Sequence, residues 1–443
     1  KDLQGLGIDL YDAYGFVDFE VDDFLGMGYA PINLRFGNLS YNWGEGSFYL
    51  DAINTTNALD VNKLMSPGLE MKEAALQVPS VSVQLGLFDT LSLEAFTHLG
   101  WRKHRFPAAG TFFHTDDDVL GPGHDGIYYD VGGFLSPDLA SYMPGPMRIV
   151  RKTKKDADNL GQWGLSARYD IEQAGIEVGA YFLNYHHQEP YFRFNPASGA
   201  FVGDGQIEFV YPEDQKLLGL SAAGQIGNWA VAGEVVYQPN HPVLAGDPLG
   251  IAFDNFLGAP VTLDGVTYDS STQSFDGFVE EDIYHGSVNL LRAFGPALGF
   301  DSTFLIVAAA VDHLPGATGE PGGEDAAGNP IYTLQGNGNG NAPTDKWAWG
   351  YNLEVDFTKL NAFGVGGLTI TPGFGWQHAV SGYSRFWGNW WQGKKWFQAR
   401  LKANYKDVDY TLSYVGIRHA DEFEAADYEE YGDNISFTIS YKF

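Results

Sequence analysis

Along most of this chain, apolar and polar residues alternate with a period of two. Tyr11, Ala13, Val17, Phe19 and Val21 fall on one face of an extended run, with Asp12, Asp18 and Glu20 on the other. That period is the signature of a β-strand. It returns in Val81, Val83, Leu85 and Leu87 against Ser82, Gln84 and Gly86, and again in Trp163, Leu165, Ala167, Tyr169 and Ile171. The clearest instance sets Trp347, Trp349, Tyr351, Leu353, Val355 and Phe357 against Ala348, Gly350, Asn352, Glu354 and Asp356. Tight turns close pairs of strands at Phe88-Asp89-Thr90, Gly227-Asn228 and Lys406-Asp407. About fifteen strands are predicted in all.

The stretch 41–75 breaks the pattern. It mixes Trp43, Glu45, Asp51, Asn54, Asp60, Lys63, Glu70, Lys72 and Glu73 with Phe48, Tyr49, Leu50, Ile53, Leu59, Val61 and Leu64. Lipid would not tolerate its charges, and a solvated loop would not carry so many apolar side chains. Such a segment is expected to leave the wall, fold inward and narrow a lumen. A short helix is expected over 69–76. Glu45 is expected to pair with a wall base among Arg35, Arg168 and Arg400, and Glu354 and Arg400 are expected to face the same lumen. Two other long connections, 102–160 and 239–281, read as external loops.

Connections alternate between short turns and long loops, as in outer-membrane barrels, where periplasmic turns are short and external loops long. Composition agrees: 56 Gly, 25 Tyr, 31 Phe and 11 Trp accompany only 19% charged residues, and cysteine is absent. Trp101, Trp163, Trp229, Trp347 and Trp376 are placed as membrane-interface girdles. No apolar run approaches the roughly 18 residues of a spanning helix, so any crossing is made by strands. The expected fold is therefore all-β, a single large antiparallel transmembrane barrel over 1–443. The chain opens nearly on a strand, without a signal peptide. Because barrels of this kind have an even strand number, N-terminal strands are expected to be missing from a complete set of about 16–18.

The net charge is −30, concentrated in segments such as Asp116-Asp117-Asp118 and Glu280-Glu281-Asp282. This disfavours nucleic acid, which needs a basic footprint. The acidic runs read as solvated loops; none has the spacing of a calcium loop, and neither a metal nor a cofactor is expected. The basic run 148–155 reads as a solvated loop tip. The final alternation Ile435, Phe437, Ile439, Tyr441 and Phe443 resembles the C-terminal signal read by the outer-membrane barrel insertion machinery.

The segment RFGNLSYNWGEGSFYLDAIN, residues 35–54, resembles the signature of a proteobacterial outer-membrane family known only as a domain of unknown function. The resemblance runs on through DVNKLMSPGLEMKEA, LSLEAFTHLGW and GTFFHTDD to about Gly123 and is looser beyond. It implies a large porin-like barrel in the outer membrane of a Gram-negative bacterium, in contact with lipid and lipopolysaccharide. It also implies a genomic setting beside RND-type transporters and a periplasmic lipid-carrier-like protein.

Two channel readings follow. A channel for hydrophobic or amphipathic molecules fits the resemblance, the oily strand 304–310 and a greasy entry site formed by Phe386, Trp387, Trp390 and Trp391. A polar-solute porin fits the charged lumen residues. A hydrolase is the weaker reading: His98, His186, His187 and His378 are present, but no G-x-S-x-G accompanies them, and no catalytic residue is assigned. A purely structural role would leave the inward segment without a purpose.

Overall fold

A computed structural model describes residues 12–21, 30–46, 49–65, 74–108, 126–129, 147–196, 205–246, 248–336, 342–418 and 433–441. Fifteen strands form one antiparallel sheet in sequence order. They are β1 (Ala13–Val21), β2 (Ala30–Leu39), β3 (Val78–Leu87), β4 (Leu91–His98) and β5 (Trp163–Ile171). Next come β6 (Ile176–Tyr185), β7 (Gln215–Ile226), β8 (Trp229–Leu244), β9 (Phe278–Phe294) and β10 (Ser302–His313). The last are β11 (Trp347–Thr358), β12 (Leu368–Ser381), β13 (Lys395–Tyr405), β14 (Val408–Arg418) and β15 (Asn434–Tyr441). Phe443 lies outside the described residues.

The register fixes which way each residue faces, because directly opposed residues of an antiparallel pair share a face. Phe19 opposes Ile32, Ile32 opposes Leu85, and Leu85 opposes Leu93. Farther round, Val231 opposes Leu290, then Val307, Leu353 and Trp376. Leu165, Val178, Leu220, Leu401, Leu412 and Ile439 follow on the same face by alternation. This face is bare: Leu220, Val235 and Ile439 are 59%, 57% and 59% exposed. The opposite face carries Ser82, Glu94, Arg168, Glu234, Asn289, Gln398 and Ser413. A soluble sheet buries its apolar face. Here that face is outermost and the polar face is turned in, the polarity of a wall solvated by hydrocarbon.

The short turns take the left-handed backbone that tight hairpins demand: Phe88 and Asp89 have φ of 54° and 60°, and Lys406 has φ of 54°. Trp163, Trp229 and Trp347 open β5, β8 and β11 on the outer face, as girdle residues would. Trp376 instead sits within β12. Trp101 lies beyond β4 and donates its indole N–H to the carbonyl of His187 at 3.2 Å, so it braces an external connection rather than the membrane interface.

The described parts of the long connections carry more secondary structure than their Gly, Pro and Asp content suggested. Tyr191–Asn195, Gly205–Val210, Met147–Lys155, Gly126–Tyr129 and Phe275–Asp276 form a small sheet, with Met147–Lys155 parallel to Gly205–Val210. The basic run is therefore a strand rather than a loop tip. Val261–Leu263 pairs with Val266–Tyr268 and Ile331–Tyr332. These pieces share an apolar core that includes Tyr191, Phe194, Phe209, Leu244, Ile251 and Leu263. They make a cap over the external end.

Candidate functional site

The stretch that breaks the strand pattern folds inward as a plug. It begins after β2 at Leu39. Gly44 turns the chain with φ of 78°, and Asn57 holds the start of the excursion by accepting the N–H of Tyr41 at 3.0 Å. A small hairpin pairs Ala58–Leu59 with Ala75–Leu76. Between them a one-turn helix, α1 (Val61–Met65), starts at Asp60, whose carbonyl accepts from Lys63 and Leu64. The helix expected over 69–76 is thus corrected at its end, where Ala75–Leu76 is strand. Residues 66–73, and with them Glu70, Lys72 and Glu73, lie outside the described residues.

Two aromatic anchors seat the plug on distant parts of the wall. Trp43 is 4% exposed and packs beside Phe96 of β4 and Tyr181 of β6, with ring centroids 4.9 and 6.0 Å away. Its indole donates to the Glu94 carboxylate at 2.9 Å. Tyr49 lies against Ala308 and Ala310 of β10, Ala348 of β11, Ala379 of β12 and Trp390. One short segment touching strands from β4 to β12 requires the sheet to curl around it. One end of the oily 304–310 strand turns small side chains inward, Ala308 and Ala310, which make room for Tyr49.

Between the anchors lies Glu234 of β8, 4% exposed. Its carboxylate accepts the backbone N–H of Glu45 at 2.6 Å, of Gly46 at 2.9 Å and of Ile53 at 3.1 Å. A Cβ on Gly44 or Gly46 would come within 2.5 Å of this carboxylate, so both glycines are needed for the close approach. Asn54 closes the loop by donating to the carbonyl of Gly46 at 3.5 Å. Asn289 of β9 adds a bond to the carbonyl of Glu45 at 2.5 Å.

The side chain of Glu45 makes no ion pair among the described residues. Burial raises its pKa, the charges of Glu177 and Glu234 add to this, and Arg168 partly offsets them. Arg168 is therefore the base whose field reaches Glu45. Arg35 instead bonds Asn33 at 2.8 Å, and Arg400 pairs with Asp356 at 2.8 Å and lies 3.8 Å from Glu354. The expected partner of Glu45 is thus corrected: what grips this part of the plug is an acid, Glu234, bound to main chain.

At the external end, Asp51 is tied to the cap. Arg385 donates to Asp51 at 2.5 Å and lies 3.4 Å from Glu189. His104 and His187 each approach Glu189 at 3.9 Å. Burial drags the Arg385 guanidinium down, but Asp51 and Glu189 hold its pKa well above the ordinary value. Burial pushes Glu189 up to about 7. Burial and the Arg385 charge push His104 down to about 4 and His187 well below its usual value. Asn389 clamps the neighbouring residue, accepting the N–H of Leu50 at 2.6 Å and donating to its carbonyl at 3.0 Å. Lys63 lies half-buried in α1.

The aromatic segment does not form one open greasy surface. Phe386 packs on the cap core, and Trp387 lies between Phe386 and Phe106 at 4.7 and 5.1 Å. Trp390 is buried against Tyr49, and Trp391 is buried beside Tyr383 and Ala342. They brace plug and cap. The histidines do not line up as a nucleophile's base. Ser80 meets His98 at 2.8 Å, but the other ring nitrogen of His98 is buried without a partner. His186 is engaged with Leu160 and Asp214, and His378 stands on the outer face beside Tyr351.

An apolar outer band, a polar inner face and an inward segment bound to strands on several sides define an outer-membrane-type β-barrel with an internal plug. A family described as "Protein of unknown function (DUF1302)" matches residues 1–443. The chain belongs to that family. No curated protein is significantly similar to it. Among solved structures, OccK8 (OprE) of Pseudomonas aeruginosa is 11% identical, with 89% of this chain and 76% of that one covered at a TM-score of 0.33. Salmonella typhi OmpF in complex with daunomycin is 12% identical, with 97% and 95% covered at 0.34. The outer membrane channel DcaP of Acinetobacter baumannii is 10% identical, with 98% and 97% covered at 0.30.

Proposed function

We propose that the protein is an outer-membrane channel for hydrophobic or amphipathic small molecules, constricted by the plug. The observation that carries this is the seating of 41–75 inside the wall. Its described residues bind the inner face of strands from β3 to β12. The inner face also carries polar pairs: Arg400 of β13 with Asp356 of β11, Asn404 with Asp409 between β13 and β14, and Asn33 with Asp18 at 2.5 Å between β2 and β1, with Lys402 beside them. The plug keeps Leu50 and Leu64 exposed. A passenger with an apolar body and a polar head would find a neighbour for each part. On this reading a periplasmic lipid-carrier-like protein serving an RND-type transporter is the partner at the other end.

The charged ladder of Arg400, Asp356 and Glu354 favours a second reading, a porin for polar solutes, since such ladders set selectivity. Uptake by proteoliposomes of a fatty acid and of a small sugar separates the two. Faster entry of the fatty acid supports the first; passage of the sugar alone supports the second.

A further inference from the structure

Where the connection between β12 and β13 folds back under the cap, it encloses a cavity of about 130 Å³ lined by Gln377, Asn389, Trp391, Lys394, Trp396 and Ile417. Gln377, Trp396 and Ile417 come from the inward faces of β12, β13 and β14. The cavity thus opens on the inner side of the wall, close to where Asn389 clamps the plug. We infer that this cavity is a binding site for a small carboxylate with a flat or short apolar body.

The chemistry follows from what lines it. Trp391 and Trp396 supply apolar surface. Lys394 stands 5.1 Å from the centroid of the Trp391 ring. That cation–π contact is its side-chain partner among the described residues, where no carboxylate pairs with it. Gln377 likewise makes no side-chain hydrogen bond there. A half-buried ammonium in an acidic chain, without a counter-ion and next to an unoccupied amide donor, is arranged for an anion. A carboxylate would accept from both, and such charge-assisted bonds are the strong ones. Burial lowers the pKa of Lys394, and a bound anion would favour its charged form. The exposed Lys395 next to it faces outward, so charge alone does not single out the position.

The inference deepens the channel reading, and benzoate binding to the full chain in detergent, measured by isothermal titration, tests it. Benzamide serves as the neutral probe of the same shape. The expected result is saturable benzoate binding that weakens about tenfold in Lys394→Gln, with benzamide binding unchanged and Lys395→Gln behaving as wild type. Circular dichroism and thermal unfolding check that both variants fold. Lack of saturable benzoate binding, equal affinity for benzoate and benzamide, or equal losses in the two lysine variants would overturn the inference. Conductance of the same wild-type protein in planar bilayers is read separately. A protein that conducts but does not bind refutes the site alone, and one that binds but does not conduct refutes the channel alone.

Discussion

Replacing Glu234 should release the plug. In Glu234→Ala the N–H groups of Glu45, Gly46 and Ile53 lose their acceptor. A buried donor left unmade costs about 1–3 kcal/mol, so the docked state loses ~3–9 kcal/mol before water responds. Water entering the vacated space recovers part of this, which leaves about 3–5 kcal/mol. At 1.4 kcal/mol per factor of ten, the undocked population rises roughly a hundredfold to a few thousandfold. Glu234→Gln should act in the same direction but less. One of its ends still accepts, while its amide N–H₂ must face at least one backbone N–H. The assays are single-channel conductance, expected to rise, and hydrogen exchange at Gly46 and Ile53, expected to accelerate. A folded Glu234→Ala barrel with wild-type conductance and unchanged protection at both amides would show that Glu234 does not hold the plug.

Deleting 47–65 should enlarge conductance further and admit bulkier solutes; an unchanged conductance in a folded deletion variant would show that the constriction lies elsewhere. Leu353→Arg on the outer face should cost about 2–4 kcal/mol near the bilayer midplane, whereas Asn352→Arg on the inner face should be far milder; equal losses by denaturant titration in lipid would contradict the facing. The cap should weaken in acid, and the sign can be worked out group by group. His104 and His187 have folded pKa values below their unfolded ones, so the unfolded chain binds more protons and stability falls as pH drops below about 6.5. Glu189 is raised to about 7, so its contribution is fully present below about 4.5 and is lost as pH rises toward 7. His241, whose ring lies 4.6 Å from that of His187, is likewise held well below its usual value by burial and the Arg385 charge, so three histidines against one glutamate make the net slope a loss of cap stability on acidification from about 6.5. Hydrogen exchange at 187–191 as a function of pH checks this, and a His104→Gln, His187→Gln, His241→Gln triple variant should reverse the slope.

The sequence by itself determined the wall. A period of two is local, so reading Phe19, Leu85, Leu220, Leu353 and Ile439 as one face needed no knowledge of partners, and the register agrees at every one of them. It also marked where the wall is interrupted, because 41–75 suits neither lipid nor water. What grips that interruption was not legible. Glu234 differs in no local way from any inward glutamate, and it becomes the plug's acceptor only because folding brings together residues 189 apart. Arg385 and Asp51 are 334 apart. The cap was hidden for a related reason: its strands pair across different long connections, as Met147–Lys155 does with Gly205–Val210, so neither partner shows the short-range pattern of a hairpin. Alternation tells a residue which side of the sheet it occupies. Curling the sheet around the plug decides which of the inward residues meet.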